Sequence, residues 1–551
     1  MKFRQSYQKN SILVFLIFLQ LVTMFFWGMQ KTGYHMDEIL SYGLSNSEYT
    51  PFLYREDEFG EKWYYSQEIA DYLSVNEYER FEYKSVIYNQ EQDVHPPVYY
   101  LIFHTISSFF EGVFSKWIGL SINLVCFILI DIVLYLLVKK ISSSANVAIL
   151  SIIVWGFSVG AINMVTFIRM YALLTLWIVL FVYVHSLLFN ENMIESEDVS
   201  FKLLFSLMAI TILGILTQYY FLVFSFFICG GWCIYLLWKK KWRILLKYSC
   251  AEILAVFLSI LIFPGMLRHI FSGYRGDAAF SALKESDLWV EHIKTYLSIF
   301  SHSIMWGCLK IFGIVAAIVI LCWCIQNLYM KFYIHYNHQH KRIELIGEKQ
   351  SSVRIAWVLS DNFVFLIILA IGSCAYLLMI ARIAPYQADR YIMPLFPIAT
   401  LYIATMIGYA CRRLGTKNSF VAAMAICTGL SVFSWWIGPL NYLYRDKEIR
   451  NQISYQYSSL PVIIPYQSSH GEVAYYDELL EHPATFFYSI DNLDSLKETL
   501  YEYNLTDGFL LYTESNNDEE VLEKFKEIFP GEFIYEKLFE NHGNIYLVNN
   551  T

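Results

Sequence analysis

Apolar runs of about twenty residues, long enough to cross a bilayer's hydrocarbon layer as helices, recur along most of the chain. They fall at 11–29, 117–138, 145–161, 169–189, 202–217, 219–238, 248–266, 303–326, 359–380, 391–410 and 419–438. Basic clusters separate several of them: Lys139-Lys140, Lys239-Lys240-Lys241, Lys341-Arg342, and Arg412-Arg413 with Lys417. Lysine and arginine concentrate on the cytoplasmic side of membrane proteins. Placing all four clusters there puts 30–116, 162–168, 267–302, 381–390 and the tail from about 440 outside. One stretch breaks the alternation. "HPPVYYLIFHTISSFF", at 95–110, is apolar but short and carries His104 and serines. Counting it as a crossing would move the lysine triplet outside, so it is expected as a half-inserted or interfacial helix. About eleven crossings remain, an odd number, with the N-terminus cytoplasmic and the C-terminus outside.

The first run follows a basic start, "MKFRQSYQK", and is followed by bulky "FFWGMQKTGYHMDE" rather than a small-residue cleavage site. It is expected as a retained anchor. The outer loop after it, of roughly 65 residues, is too long for a connector. Its "EKWYYSQEIADYLSVNEYERFEY" has aromatic side chains with polar tips, suited to the headgroup layer as short surface helices. The tail changes character. "ATFFYSI" and "GFLLYT" read as strands, "DSLKETLYEY" and "DEEVLEKFKEIF" as amphipathic helices, and "EFIYEKLF" with "GNIYLVNN" as a closing hairpin. The expected architecture is a polytopic α-helical membrane domain over 1–440 and a small extracytoplasmic α/β domain over 441–551.

Composition agrees. Hydrophobic residues make up 56% of the 551 and charged residues only 16%, against roughly 25% in soluble domains. The net charge of -9 argues against a nucleic-acid partner. Most of the ten cysteines lie within apolar runs and read as buried thiols; Cys322-Trp323-Cys324 is a poor metal pair.

Candidate chemistry gathers at the boundaries assigned to the outer face. A charge near the bilayer centre costs about 2.5–3.5 kcal/mol, so boundary charges invite a reason. Asp37-Glu38 follows the first run as adjacent carboxylates: either a solvated pair, or a general base beside a second acid whose like charge shifts its pKa. His95, before Pro96-Pro97, is either a surface histidine or part of a metal or phosphate site. Arg169 and Arg390 stand at outer boundaries flanked by tyrosines, where an arginine fork matches a phosphate. The 267–302 segment carries Arg268, His269, Arg275 and Asp277 with glycines, and reads equally as a mobile lid or an ordinary polar loop.

In this order, "MDE", "HPPVYY", "RMYALL", "TQYYFLVF" and "DRYIMPLFP" resemble the GT-C membrane glycosyltransferases, nearest the protein O-mannosyltransferase-like group and its aminoarabinose-transferase relatives. The resemblance covers roughly 1–440; Gln218 stands where relatives often carry histidine. It implies a sugar donor on a polyprenyl phosphate, used on the outer face, with a glycan, lipid or protein acceptor. Asp37 matches the catalytic base and Glu38 a residue that orients it. Arg390 with Tyr391 matches the donor-phosphate site, and His95, Arg169, Tyr171, Tyr219 and His269 fall among substrate-binding positions. A divalent metal near His95, His269 or Glu38 is an open expectation. Two other readings stand beside this one: a lipid-linked glycan transporter or flippase, and a polysaccharide polymerase or ligase.

Overall fold

The computed structural model describes residues 2–53, 63–189, 191–197, 199–284, 288–311, 313–314, 330–337, 342–349, 354–358, 361–416, 418–466, 472–489, 505, 508–513, 518–529, 531, 533–541 and 543–550. Eight described helices are long and apolar enough to cross a membrane, and the chain is a multi-pass membrane protein. All eight fall on expected crossings. The other three expected crossings differ. The 145–161 run is a bent pair, Ala145–Gly156 and Val159–Thr166, turned by 58°. The 202–217 run forms the shorter helix Phe201–Ile215. Most of 303–326 lies outside the described residues. The 95–110 stretch is the ten-residue helix Val98–Ser107, too short to cross.

The bend has a local cause. Ser158 Oγ donates to Trp155 O at 2.6 Å and accepts from Ala161 N at 3.1 Å, so one hydroxyl serves both broken ends.

The described chain forms two compact units. The first comprises Met1–Met24, Leu124–Val165 and Met170–Leu440. It holds most of the apolar helices and a three-stranded antiparallel sheet over Met330–Asn337, Arg342–Lys349 and Arg354–Val358 that the sequence reading did not anticipate. The expected lid or loop is helical instead, as Gly265–Phe271, Tyr274–Lys284 and Trp289–Ile304. Arg275 packs over the rings of Tyr274 and Tyr386 there, while Arg268 and Asp277 are exposed.

The second unit comprises Phe25–Asn123, Thr166–Arg169 and Asn441–Thr551, so the tail shares a unit with the first long loop rather than standing alone. Its six-stranded sheet runs in the order 64–65, 484–489, 462–466, 509–513, 544–550, 533–540. The central strands are parallel, and every residue of Phe509–Thr513 is buried, as a strand covered on both faces requires. The expected hairpin closes one edge, and the expected helix forms at Asp518–Ile528. "DSLKETLYEY" lies outside the described residues. At the other edge, Tyr64-Tyr65 of the first loop pairs with Ala484 and Thr485, and Trp63 packs on the tail's core of Ile463, Phe486, Phe509 and Val548. That loop otherwise forms short helices as expected, among them Met36–Asn46, Ser66–Leu73 and Tyr83–Gln92.

Candidate functional site

The helix Met36–Asn46 begins at the paired carboxylates, and its N-terminus uses them differently. His35 is the cap: its Nδ1 accepts the Asp37 amide at 3.0 Å, while Glu38 reaches back to accept the His35 amide at 2.7 Å. The two reciprocal bonds form a capping box with histidine in the usual serine position. Glu38 is fully buried and also accepts Lys31 Nζ at 2.9 Å and the Ile168 amide at 2.7 Å. Burial raises its carboxyl pKa and lowers that of the Lys31 ammonium, and each charge is the other's main compensation. Lys31 further donates to Tyr442 O at 2.8 Å. Glu38 therefore acts as a buried clamp joining three chain segments, and its raised pKa comes from burial rather than from Asp37.

Asp37 keeps its side chain at the surface of this cluster, 24% exposed, with Oδ2 3.5 Å from His35 Nδ1. It sits in the first helical turn, where the macrodipole favours a carboxylate.

Arg169 lies in the short connection between the bent pair and the helix Tyr171–Leu188, and it is almost wholly buried. Its Nη1 donates to Asp37 O at 3.1 Å, Ser41 Oγ at 3.2 Å and Tyr100 OH at 3.0 Å. Its Nη2 meets His95 Nε2 at 3.3 Å. A guanidinium can only donate, so His95 Nε2 accepts and Nδ1–H points to Asp93 Oδ2, 2.6 Å away. Burial works to raise the Asp93 pKa, but His95, with the Arg169 charge behind it, outweighs burial and holds the carboxyl below its ordinary value. Asp93, His95, Arg169 and the Asp37 backbone thus form one hydrogen-bonded chain. Sequence reasoning missed Asp93, Lys31 and Tyr100. Asp93 lies two residues before the histidine already singled out, and "DVHPPVYY" contains both it and Tyr100.

The remaining sequence candidates belong to the first unit. Asp389–Tyr391 is a short 3₁₀ turn, buried at all three residues. Asn163 Nδ2 donates to Asp389 Oδ2 and to Pro439 O, both at 3.0 Å. The Arg390 guanidinium lies over the Tyr391 ring, 5.2 Å from its centroid. Tyr171 and Tyr220 meet that ring edge-on, and Tyr376 OH donates to Tyr391 O at 2.8 Å. The tyrosines thus gather around Tyr391, the ring on which Arg390 lies. Tyr219 OH and His269 Nδ1, two further candidates, meet at 2.9 Å.

Among the described residues, no three His, Cys, Asp or Glu side chains gather as a metal site. Both His95 nitrogens and the Glu38 carboxylate already have protein partners.

No protein-family profile matches the chain, and no curated protein matches it in sequence. Its fold is similar to the solved structure of ArnT from Cupriavidus metallidurans in the apo state, over 98% of each chain, with a TM-score of 0.46 and 10% identity.

Proposed function

We propose that the protein is a membrane glycosyltransferase that moves a sugar from a polyprenyl-phosphate carrier to an acceptor hydroxyl on the extracytoplasmic side, with the tail on that side. The observation that supports it best is the bracing of Asp37. Its helix turn is capped by His35, its carbonyl is bound by Arg169, and its carboxylate stays accessible. A general base needs that combination of fixed position and an open face.

Asp37 takes the proton of the acceptor hydroxyl as that oxygen bonds the anomeric carbon. The bond from this carbon to the phosphate oxygen breaks, and its electron pair leaves with the polyprenyl phosphate. Arg390 is assigned to that phosphate, where a guanidinium fork offsets the charge that develops. Glu38 and Arg169 act as positioning residues.

The test is transfer of labelled sugar from a polyprenyl-phosphate donor by the purified protein. Asp37→Asn should lower the rate about 10²–10⁴-fold, the usual contribution of a general base, with no change in melting temperature. Wild-type rates from the Asn form would remove the base assignment. Movement of labelled lipid across a vesicle bilayer with no sugar transfer would favour a flippase.

A further inference from the structure

The second unit holds a cavity of about 690 Å³ that neither Asp37 nor Arg390 lines. Its size falls within the range of about 300–1,000 Å³ typical of small-molecule sites. One wall is the helix Lys447–Gln456, the other the segments 31–34 and 114–117.

The helix is built to present a fixed polar face. Its inner side carries Arg450, which grips Glu478 through bonds of 2.9 and 3.1 Å, and Ser454, bonded to Tyr512 OH. The opposite side points Glu448, Asn451, Gln452 and Tyr455 at the cavity, an i, i+3, i+4, i+7 stripe that lies on one helix face. Tyr455 is 75% exposed and lines the cavity. The walls are closely joined. Asn451 Nδ2 donates to Thr32 O at 2.9 Å, and any side chain at Gly33 would run into Lys447.

The lining chemistry selects a ligand. Both lysines that line the cavity are committed: Lys31 to Glu38 and Tyr442 O, Lys116 to the carbonyls of Met29 and Lys31. Glu448 adds a negative charge, and no arginine lines the cavity among the described residues. A phosphate would find little here. Amides and a hydroxyl that both donate and accept, beside tyrosine and tryptophan rings, suit an uncharged polyol with an apolar ring face. Trp117, at the start of the membrane-length helix Lys116–Ser142, also lines the cavity, and the 31–34 wall leads along the chain into the helix that carries Asp37.

We infer that this cavity binds neutral sugar units of a glycan and serves as the acceptor subsite. The acceptor role rests on the transferase reading; the binding does not. The test uses full-length protein in nanodiscs free of sugar-based detergent. Tryptophan fluorescence follows titration with soluble gluco-, galacto-, manno- and N-acetylglucosamine oligosaccharides, with the same headgroups on glycolipids, and with inorganic phosphate. At least one carbohydrate should bind. Tyr455→Ala and Gln452→Ala, both at exposed positions, should each raise its Kd at least about tenfold. Binding of soluble oligosaccharide identifies a glycan chain, and binding of glycolipid alone identifies a membrane headgroup. With the bound sugar as acceptor, the same two variants should raise acceptor KM and leave donor KM unchanged. Failure of every carbohydrate to bind, equal binding by the variants, or phosphate in place of sugar would overturn the site. Carbohydrate binding without transfer in the wild type would leave the site standing and overturn only the transferase reading.

Discussion

Arg169 and Arg390 are both buried arginines at helix ends, yet the two units hold them by different means. Arg169 meets four polar groups from two stretches of chain, 37–41 and 95–100, and each bond fixes part of the Asp37 surroundings. Arg390 rests on the Tyr391 ring, which Tyr171 and Tyr220 in turn meet edge-on. The first is an arrangement of directed hydrogen bonds, which specifies position. The second includes a cation–π contact, which holds a guanidinium against a ring face. An arginine's identity as a site residue therefore does not define its role. One is tied to the Asp37 helix by hydrogen bonds, and the other lies over a tyrosine ring; the proposed function gives them different roles.

The contrast can be broken or sharpened by substitution. The largest effect is expected at the clamp beneath Arg169. Glu38→Ala leaves the buried Lys31 ammonium without its partner and should cost about 3–5 kcal/mol, read as a collapse of the thermal midpoint in detergent. Arg169→Lys comes next. An ammonium cannot reach the same spread of acceptors, so about 2–3 kcal/mol of stability should go together with transfer activity. Arg390→Lys should cost less than about 1 kcal/mol of stability but raise the donor KM about tenfold, because a point charge replaces a fork. Equal destabilisation by the two lysine variants would end the comparison.

The smallest effect concerns acid. The Asp93 carboxyl is held below its ordinary value, so its stabilising contribution is present above about pH 4 and is lost as pH falls through the lower folded value. Asp93→Asn should flatten the acid limb of a plot of thermal midpoint against pH and leave its slope between pH 6 and 8 unchanged. A variant that shifts the neutral region instead would show that His95 depends on Asp93 for more than its tautomer.

Much of this protein was legible before any coordinates, and the legible part has a common cause. Membrane helices must satisfy their backbone internally and present apolar side chains to lipid, so composition alone marks them. The eight described helices long and apolar enough to cross, and the short 98–107 helix, follow from this. In the tail, alternation and helical periodicity marked two strands, a hairpin and a helix. Strand Val462–Tyr466 was missed because its "VIIPY" contains a proline, which argues against a central strand. The bend at 157–158 escaped notice because a serine inside an apolar run carries little signal until its hydroxyl is seen bridging the two ends.

The amino-acid sequence by itself determined which segments enter the membrane, where the chain turns amphipathic, and that Asp37, Glu38, His95, Arg169 and Arg390 merit chemical scrutiny. Those properties depend on local periodicity and on the cost of charge near lipid, both readable along one dimension. Tertiary structure alone decided which of two adjacent carboxylates is buried and clamped by Lys31, and that Asp93 and Tyr100 join Arg169. It also decided that Tyr64-Tyr65 completes a sheet formed by residues more than four hundred positions away. Hydrogen bonds and ion pairs form between whatever groups the fold brings within about 3 Å, and no pattern along the chain encodes that meeting.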